Sequence, residues 1–443
     1  MSLVSSLYTG QTGLEASSTD LSVIGDNIAN ANTTGFKGSR ADFSNAMAQQ
    51  MIGAGGSMSQ VGLGTELMSV QKILTQGALS TTGVATDMAL DGGGFFVVKG
   101  SHNGRQGTFY TRAGQFTMDN SGDLVNQEGL KVQGYPADAT GALSPTPGNL
   151  SLGGSISPSL ATSNITIKAN LDSSSTVKAA WDPTSATTMA QTSNFATTVT
   201  VYDSLGAQHQ IDVFFRKTTD ATTTTGAVWE YHAMTDGGGV TGGTAGTPFE
   251  VQTGTGIQFG LDGKLVGPAT VAAAPVFSPL GAVQTQALTI NLGDDTTAGG
   301  TGLAGMTQMA LQSQTKSVTQ DGHGSGVLAS ISVDKSGQIQ GSFSNGQSRV
   351  IGRVGVALID APDQMERAGG NLFAETTASG SSTMGAAGLG GRGGIVAGAL
   401  ENSNVDLSTE FIKMITAQRN YQANSKTVTT ADSLLSELMN LKR

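Results

Sequence analysis

The chain has 443 residues, of which 63 are glycine, 37% are hydrophobic, 13% are charged and 5% are aromatic. Its 33 Asp and Glu against 23 Lys and Arg leave a formal net charge of −10, a poor electrostatic match for nucleic acid or anionic lipid. It has no cysteine, which excludes thiol nucleophiles, disulfide scaffolds and thiolate metal sites, and its glycines follow no triplet period, which excludes collagen.

The first residues lack a basic segment followed by a long apolar one, so a usual signal peptide is not expected. No run approaches eighteen consecutive apolar residues, so no transmembrane helix or membrane insertion is expected either. Residues 3 to about 29 carry apolar side chains at helical spacing: Leu3, Leu7, Leu14, Leu21, Ile24 and Ile28, with Gly10 and Ser17 at the missing steps. The segment contains no proline and would span roughly 40 Å as a helix. It should stop near Asn30, because Asn32-Thr33-Thr34-Gly35 reads as a turn.

From Val61 to roughly Ile395 the pattern is that of short strands punctuated by glycine. Phe95–Val98 and Phe109–Met118 read as strands, and Asn194–Tyr202 and Gln210–Phe215 read as neighbours across the turn Asp203–Gly206. The run Arg349–Ile359 is apolar on both faces and is expected to be the longest strand and a central one. A phrase of Asp, a short gap, Gly and an apolar residue recurs at Asp119–Leu124, Asp262–Leu265 and Asp334–Ile339, as expected of tight hairpin corners.

At the other end Leu407, Phe411, Met414, Tyr421, Val428, Leu435 and Met439 form a heptad-compatible stripe. Asp406 suits the N-cap of that helix, and Glu410 adds negative charge to its first turn. Such long helices need partners for their stripes. The economical arrangement pairs the two termini as a coiled coil, with further copies of the chain covering what stays exposed.

No constellation carries catalysis. His102, His209, His232 and His323 sit in no metal-ligand spacing, and His209 reads as an exposed turn residue. Gly322-His323-Gly324-Ser325-Gly326 lacks the lysine of a phosphate loop, and Asp87 and Asp91 border a glycine turn. No cofactor or metal site is expected, and an enzyme reading has no support.

Three blocks resemble the bacterial flagellar rod/hook family, and most closely its hook members. The first is Val23–Lys37, the second runs from Asp87 through Phe95–Val98 and Phe109–Phe116 to Leu124–Gly129, and the third is Ser403–Ser408 with Met414–Asn424. The resemblance covers residues 1–135 and 320–443, and the large middle segment favours a hook subunit over the alternative, a distal rod subunit. It implies a hollow, flexible helical tube that passes torque from rod to filament. It also implies terminal helices lining the channel, with Asn27, Asn30, Gly35, Phe36, Arg419 and Asn420 as turn or interface residues. Implied partners are many copies of the chain, the distal rod, hook cap and hook–filament junction proteins, and the flagellar export apparatus. The implied location is extracellular, reached without a cleaved leader.

The expected fold is multidomain: paired long terminal α-helices with nested, mainly antiparallel β domains between them. Composition shifts divide it into a helical assembly domain (1–30 plus 400–443), an extended or hairpin linker (31–71 plus 376–399), an inner β domain (72–150 plus 311–375) and an inserted outer β domain (151–310).

Overall fold

The computed structural model describes residues 3–47, 49–52, 58–153, 156–272 and 277–441. The chain forms two compact units, one from Met1–Ser155, Ala329–Ser342 and Ser348–Arg443, the other from Ile156–Leu328 and Phe343–Gln347.

In the first unit the N-terminal helix is Leu3–Ala29 and the C-terminal helix is Leu407–Leu441. Asp406 caps the second, its carboxylate accepting from the Ser408 N–H at 2.8 Å. The two helices lie side by side and antiparallel: Gly10 faces Val428, Gly13 faces Asn424 and Asn27 faces Glu410. The seam differs from the expected stripe. Its buried residues are Gly10, Ser17, Ile24 and Asn27 on one helix and Glu410, Ala417 and Ala431 on the other, with Met414, Asn424, Val428 and Leu435 half-buried. Phe411 and Tyr421, expected to be buried, are 50% and 42% exposed. Phe411 lies about 100° around the helix from Glu410, and the small seam residues bring the backbones too close for aromatic rings between them. Side-chain hydroxyls are satisfied within the helices: Ser17 donates to the Gly13 carbonyl and Thr430 to that of Lys426.

Between the helices, Ser39–Asn45 pairs antiparallel with Thr65–Lys72, and Gln49–Ile52 with Met58–Val61. A larger sheet then runs in the order Gln338–Phe343, Ser348–Leu358, Lys131–Pro136, Phe95–His102, Arg105–Thr111, Leu372–Ala374, Glu366–Gly369. Ser348–Leu358 is central as predicted, with partners along both edges. It is not the longest strand: Gln208–Thr219 and Pro248–Phe259 exceed it by one residue. The segment read as one strand, Phe109–Met118, is broken, because Arg112–Phe116 leaves the sheet between Arg105–Thr111 and Thr117–Met118. Phe95, Val97, Tyr110, Ala357 and Phe373 fill one face of this sheet.

The second unit contains two five-stranded sheets. In one, Asn164–Asp172 pairs parallel with Thr289–Asn291 and Thr307–Met309 and antiparallel with Gln314–Gln320. Residues 314–320, assigned by composition to the inner β domain, therefore belong to this sheet. Their alternating polar residues carry no compositional mark of the change. The other sheet is an antiparallel meander of Phe195–Tyr202, Gln208–Thr219, Val228–Asp236, Pro248–Phe259 and Leu265–Gly267. Ile165, Ile167 and Leu171 share one core with Val201, Ile211, Val213, Phe215, Trp229 and Tyr231.

The recurring Asp–Gly phrases are tight corners. In Asp119, Asp203 and Asp334 one carboxylate oxygen accepts from the N–H groups two and four residues on, and Gly122, Gly206 and Gly337 take positive φ. Asp262 makes only the first of these bonds, to Lys264 at 3.3 Å. His209 is not an exposed turn residue: it lies on a strand, 15% exposed, paired with Asp203 at 3.1 Å.

Two tests follow from this packing. A Cβ on Gly13 would lie 2.6 Å from Asn424 Nδ2, whereas one on Gly25 would meet nothing within 4 Å. In urea unfolding, Gly13→Val should cost about 1–3 kcal/mol, and Gly25→Ala should be neutral or stabilising by up to about 1 kcal/mol. Burial works to raise the Asp203 carboxyl, but bonds from His209 and the Ala207 and Leu205 N–H groups outweigh it and hold the carboxyl below its ordinary value. A depressed folded value stabilises above the unfolded one, so this contribution is lost as pH falls from about 4 downward. Asp203→Asn should flatten that part of the acid-unfolding curve of the second unit.

Candidate functional site

Both terminal helices are held by a dense polar root where they join the first unit's β-structure, and the N-terminal helix meets the Thr65–Lys72 strand again at Thr12, whose hydroxyl accepts from the Thr65 N–H. The N-terminal helix ends through Asn30 N–H to the Asp26 carbonyl and Thr33 N–H to that of Asn30. Gly35 then adopts φ +69°, its N–H donating to the Glu401 carbonyl at 2.7 Å. A Cβ there would lie 2.5 Å from the Ala113 nitrogen, so the turn needs glycine. Phe36 is buried with the Arg367 guanidinium 5.1 Å from its ring centroid. Arg367 also donates to Ser39 Oγ at 2.9 Å and to the Lys37 carbonyl.

Glu401 sits at the centre of the root. Its carboxylate, fully buried, takes Lys37 Nζ at 2.6 Å, Arg112 Nη1 at 3.2 Å and the Gly77 N–H at 2.9 Å. Lys37 also donates to the Thr75 carbonyl and Arg112 to that of Gly92. Burial lowers the affinity of Lys37 for its proton and Glu401 opposes that shift; the same two effects act on Arg112. Asn404 fastens the start of the C-terminal helix, donating to the Ile73 carbonyl at 2.8 Å and accepting from the Gly38 N–H at 2.9 Å. Asn27 joins the helices: its amide donates to the Ser39 carbonyl and to Glu410, and its carbonyl accepts from the Ser39 N–H. Burial raises the nearby Asp20 carboxyl, against the pull of Lys413.

The predicted site residues thus separate into three groups. Asn27, Gly35 and Phe36 converge in the root, with Asn30 half-buried beside them. Ile24 is buried in the helix seam, and Leu7, Leu14, Leu21, Ile28, Met414, Val428 and Leu435 are half-buried along the pair. Leu407, Phe411, Tyr421, Arg419 and Asn420 are exposed. The side chain of Leu3 lies outside the described residues. Lys37 and Arg112 lie within the signature blocks, where no local pattern assigns them a role, and Glu401 lies outside those blocks. Glu410, read as first-turn charge, is buried and bonded to Asn27 and Lys413. The available signal was the scarcity of charge, which makes an isolated acid just before Asn402-Ser403-Asn404 conspicuous.

Removing Glu401 strands two buried cations, whereas removing Lys37 leaves a balanced Glu401–Arg112 pair. Glu401→Ala should therefore cost about 3–5 kcal/mol in equilibrium unfolding, and Lys37→Met distinctly less.

Known families match along the chain: "Flagella basal body rod protein" at residues 7–37, "Flagellar hook protein FlgE/F/G D1 domain" at 89–179, "Flagellar basal body protein FlaE D2 domain" at 170–323 and "Flagellar basal body rod FlgEFG protein C-terminal" at 396–441. The flagellar hook protein FlgE of Treponema pallidum (strain Nichols) is 35% identical over 488 residues, covering 100% of both chains. Its counterpart in Borreliella burgdorferi is 34% identical, over 99% of this chain and 100% of that one. The Escherichia coli (strain K12) protein is 33% identical, over 97% and 98%. With relatives 33–35% identical over 97–100% of its length, the chain belongs to the flagellar hook protein FlgE family.

Proposed function

We propose that this chain is the repeating subunit of a flagellar hook, assembling into a hollow, flexible helical tube that transmits torque from rod to filament. The observation that carries the reading is the surface of the helix pair. After the two helices have covered one another, Leu407, Phe411, Ile412, Ile415, Tyr421, Leu434 and Met439 remain exposed on a single helix. Exposed apolar surface of that extent is costly in water and is satisfied by neighbouring copies. In the tube the helices form a coiled-coil-like assembly domain around the channel, and the segment 31–71 links it to the β domains. The segment 376–399, expected to share that role, is instead partly built into them, Thr383–Ala386 pairing with Ser348–Leu358 and Gly394–Ala397 with Met88–Asp91.

The β surfaces, rich in Thr, Ser and Gly, suit polar contacts that exchange at modest cost during bending, whereas an apolar core does not. The proposed setting is the extracellular part of the flagellum, reached through the flagellar export apparatus. The distal rod protein, the hook cap and the junction proteins are the proposed neighbours. Full-length similarity to hook proteins supports this reading, and no feature favours the rigid distal rod.

The test uses residues exposed in the single chain. Phe411→Ser with Ile415→Ser should leave the thermal unfolding of the soluble chain within about 1 kcal/mol of wild type, yet abolish tubes seen by electron microscopy and pelleting. Tubes formed as readily by this variant would overturn the reading.

A further inference from the structure

The outward faces of the two helices differ in charge. In Leu3–Ala29 there is no Lys or Arg, and Tyr8, Glu15, Ser22 and Asp26 lie on the side away from the seam residues Gly10, Ser17 and Ile24. Asp26 already meets Arg367 at 3.3 Å, whereas the exposed Glu15 accepts only a neutral bond from Gln11 at 3.3 Å and has no cation among its described partners. On the C-terminal helix the side away from Glu410, Ala417 and Ala431 carries Ile412, Ile415, Arg419, Gln422 and Lys426, all exposed. Residues 411–426 contain Lys413, Arg419 and Lys426 and no acid. Lys413 turns back to Glu410, and the next acid on the outward face is Glu437.

These charges discriminate among the ways two copies can meet. C-terminal helix on C-terminal helix sets Arg419 and Lys426 against their own kind, and N-terminal on N-terminal sets acid against acid. Only N-terminal on C-terminal brings opposite charges together. That contact is heterologous, so it propagates into a helical polymer rather than closing as a dimer. The spacing also matches. With every copy pointing the same way, the N-terminal helix of one copy runs antiparallel to the C-terminal helix of the next. Because Tyr8 and Glu15 are seven residues apart, as are Arg419 and Lys426, Glu15 reaches Arg419 while Tyr8 lies against Lys426.

We propose that the outward face of the C-terminal helix docks on the outward face of the N-terminal helix of a second copy, Arg419 meeting the second copy's Glu15. This rests on the hook-subunit reading and adds to it which surfaces meet and in what register.

The experiment is charge exchange in the full chain, read as the critical concentration for polymerisation by sedimentation. Arg419→Glu should raise it about tenfold, and adding Glu15→Arg to the same chain should restore it to near the wild-type value. Thermal unfolding of each soluble variant checks folding. If Arg419→Glu unfolds, Arg419→Gln takes its place and should raise the critical concentration and weaken its dependence on salt. Polymerisation of the charge-reversed chain at the wild-type threshold, or failure of the double variant to recover, overturns the contact while the hook-subunit reading stands. Failure of the wild-type chain to polymerise under any condition overturns that reading itself.

Discussion

One buried carboxylate holds together three stretches of chain that are remote in sequence. Glu401 stands just before the C-terminal helix, Lys37 just after the N-terminal helix and Arg112 at the end of a sheet strand. Two cations on one anion in a dry site is an expensive arrangement, and continuum physics gives it little net stability over an apolar replacement. Its effect is selective. Any displacement of the helices relative to the sheet strips a partner from a buried charge, so the root admits one geometry. Asn27, Arg367 and Asn404 extend that restriction by bonding the Ser39, Lys37 and Ile73 carbonyls around the root.

The helix pair that grows from this root uses small residues for intimacy and large ones for reach. Gly10, Gly13, Ala417 and Ala431 let the backbones approach, and the apolar bulk that would thicken a self-sufficient two-helix core is turned outward. A single chain is thereby left with large apolar side chains exposed on the C-terminal helix. On the hook-subunit reading proposed above, local stability and polymerisation would use different sides of the same helix, so substitutions could affect one and spare the other.

Much of this was legible in the residues. The 3–4 apolar spacing and the Asp406 cap located both helices closely, because caps and periodicity are local properties. The Asp–Gly corners and the central strand Ser348–Leu358 were legible for the same reason. The face of each helix was not. Periodicity marks a stripe, but the partner's proximity decides which side it meets, and a glycine at position 13 permits a contact with Asn424 that no local pattern announces. The Glu401 cluster was hidden because its members are separated by up to 364 residues. The strand Gln314–Gln320 was misplaced because its partner, Asn164–Asp172, lies across the whole inserted segment.

The antiparallel pairing has a kinetic corollary. Asn27 and Glu410, 383 residues apart, must meet before the seam exists. Closing a loop of that length has a substantial entropic cost, and the contact is among the most non-local the chain can make. A chain emerging from either end displays one terminal helix alone while nearly four hundred residues follow. The seam between the two terminal helices therefore closes only when both ends of the chain are present.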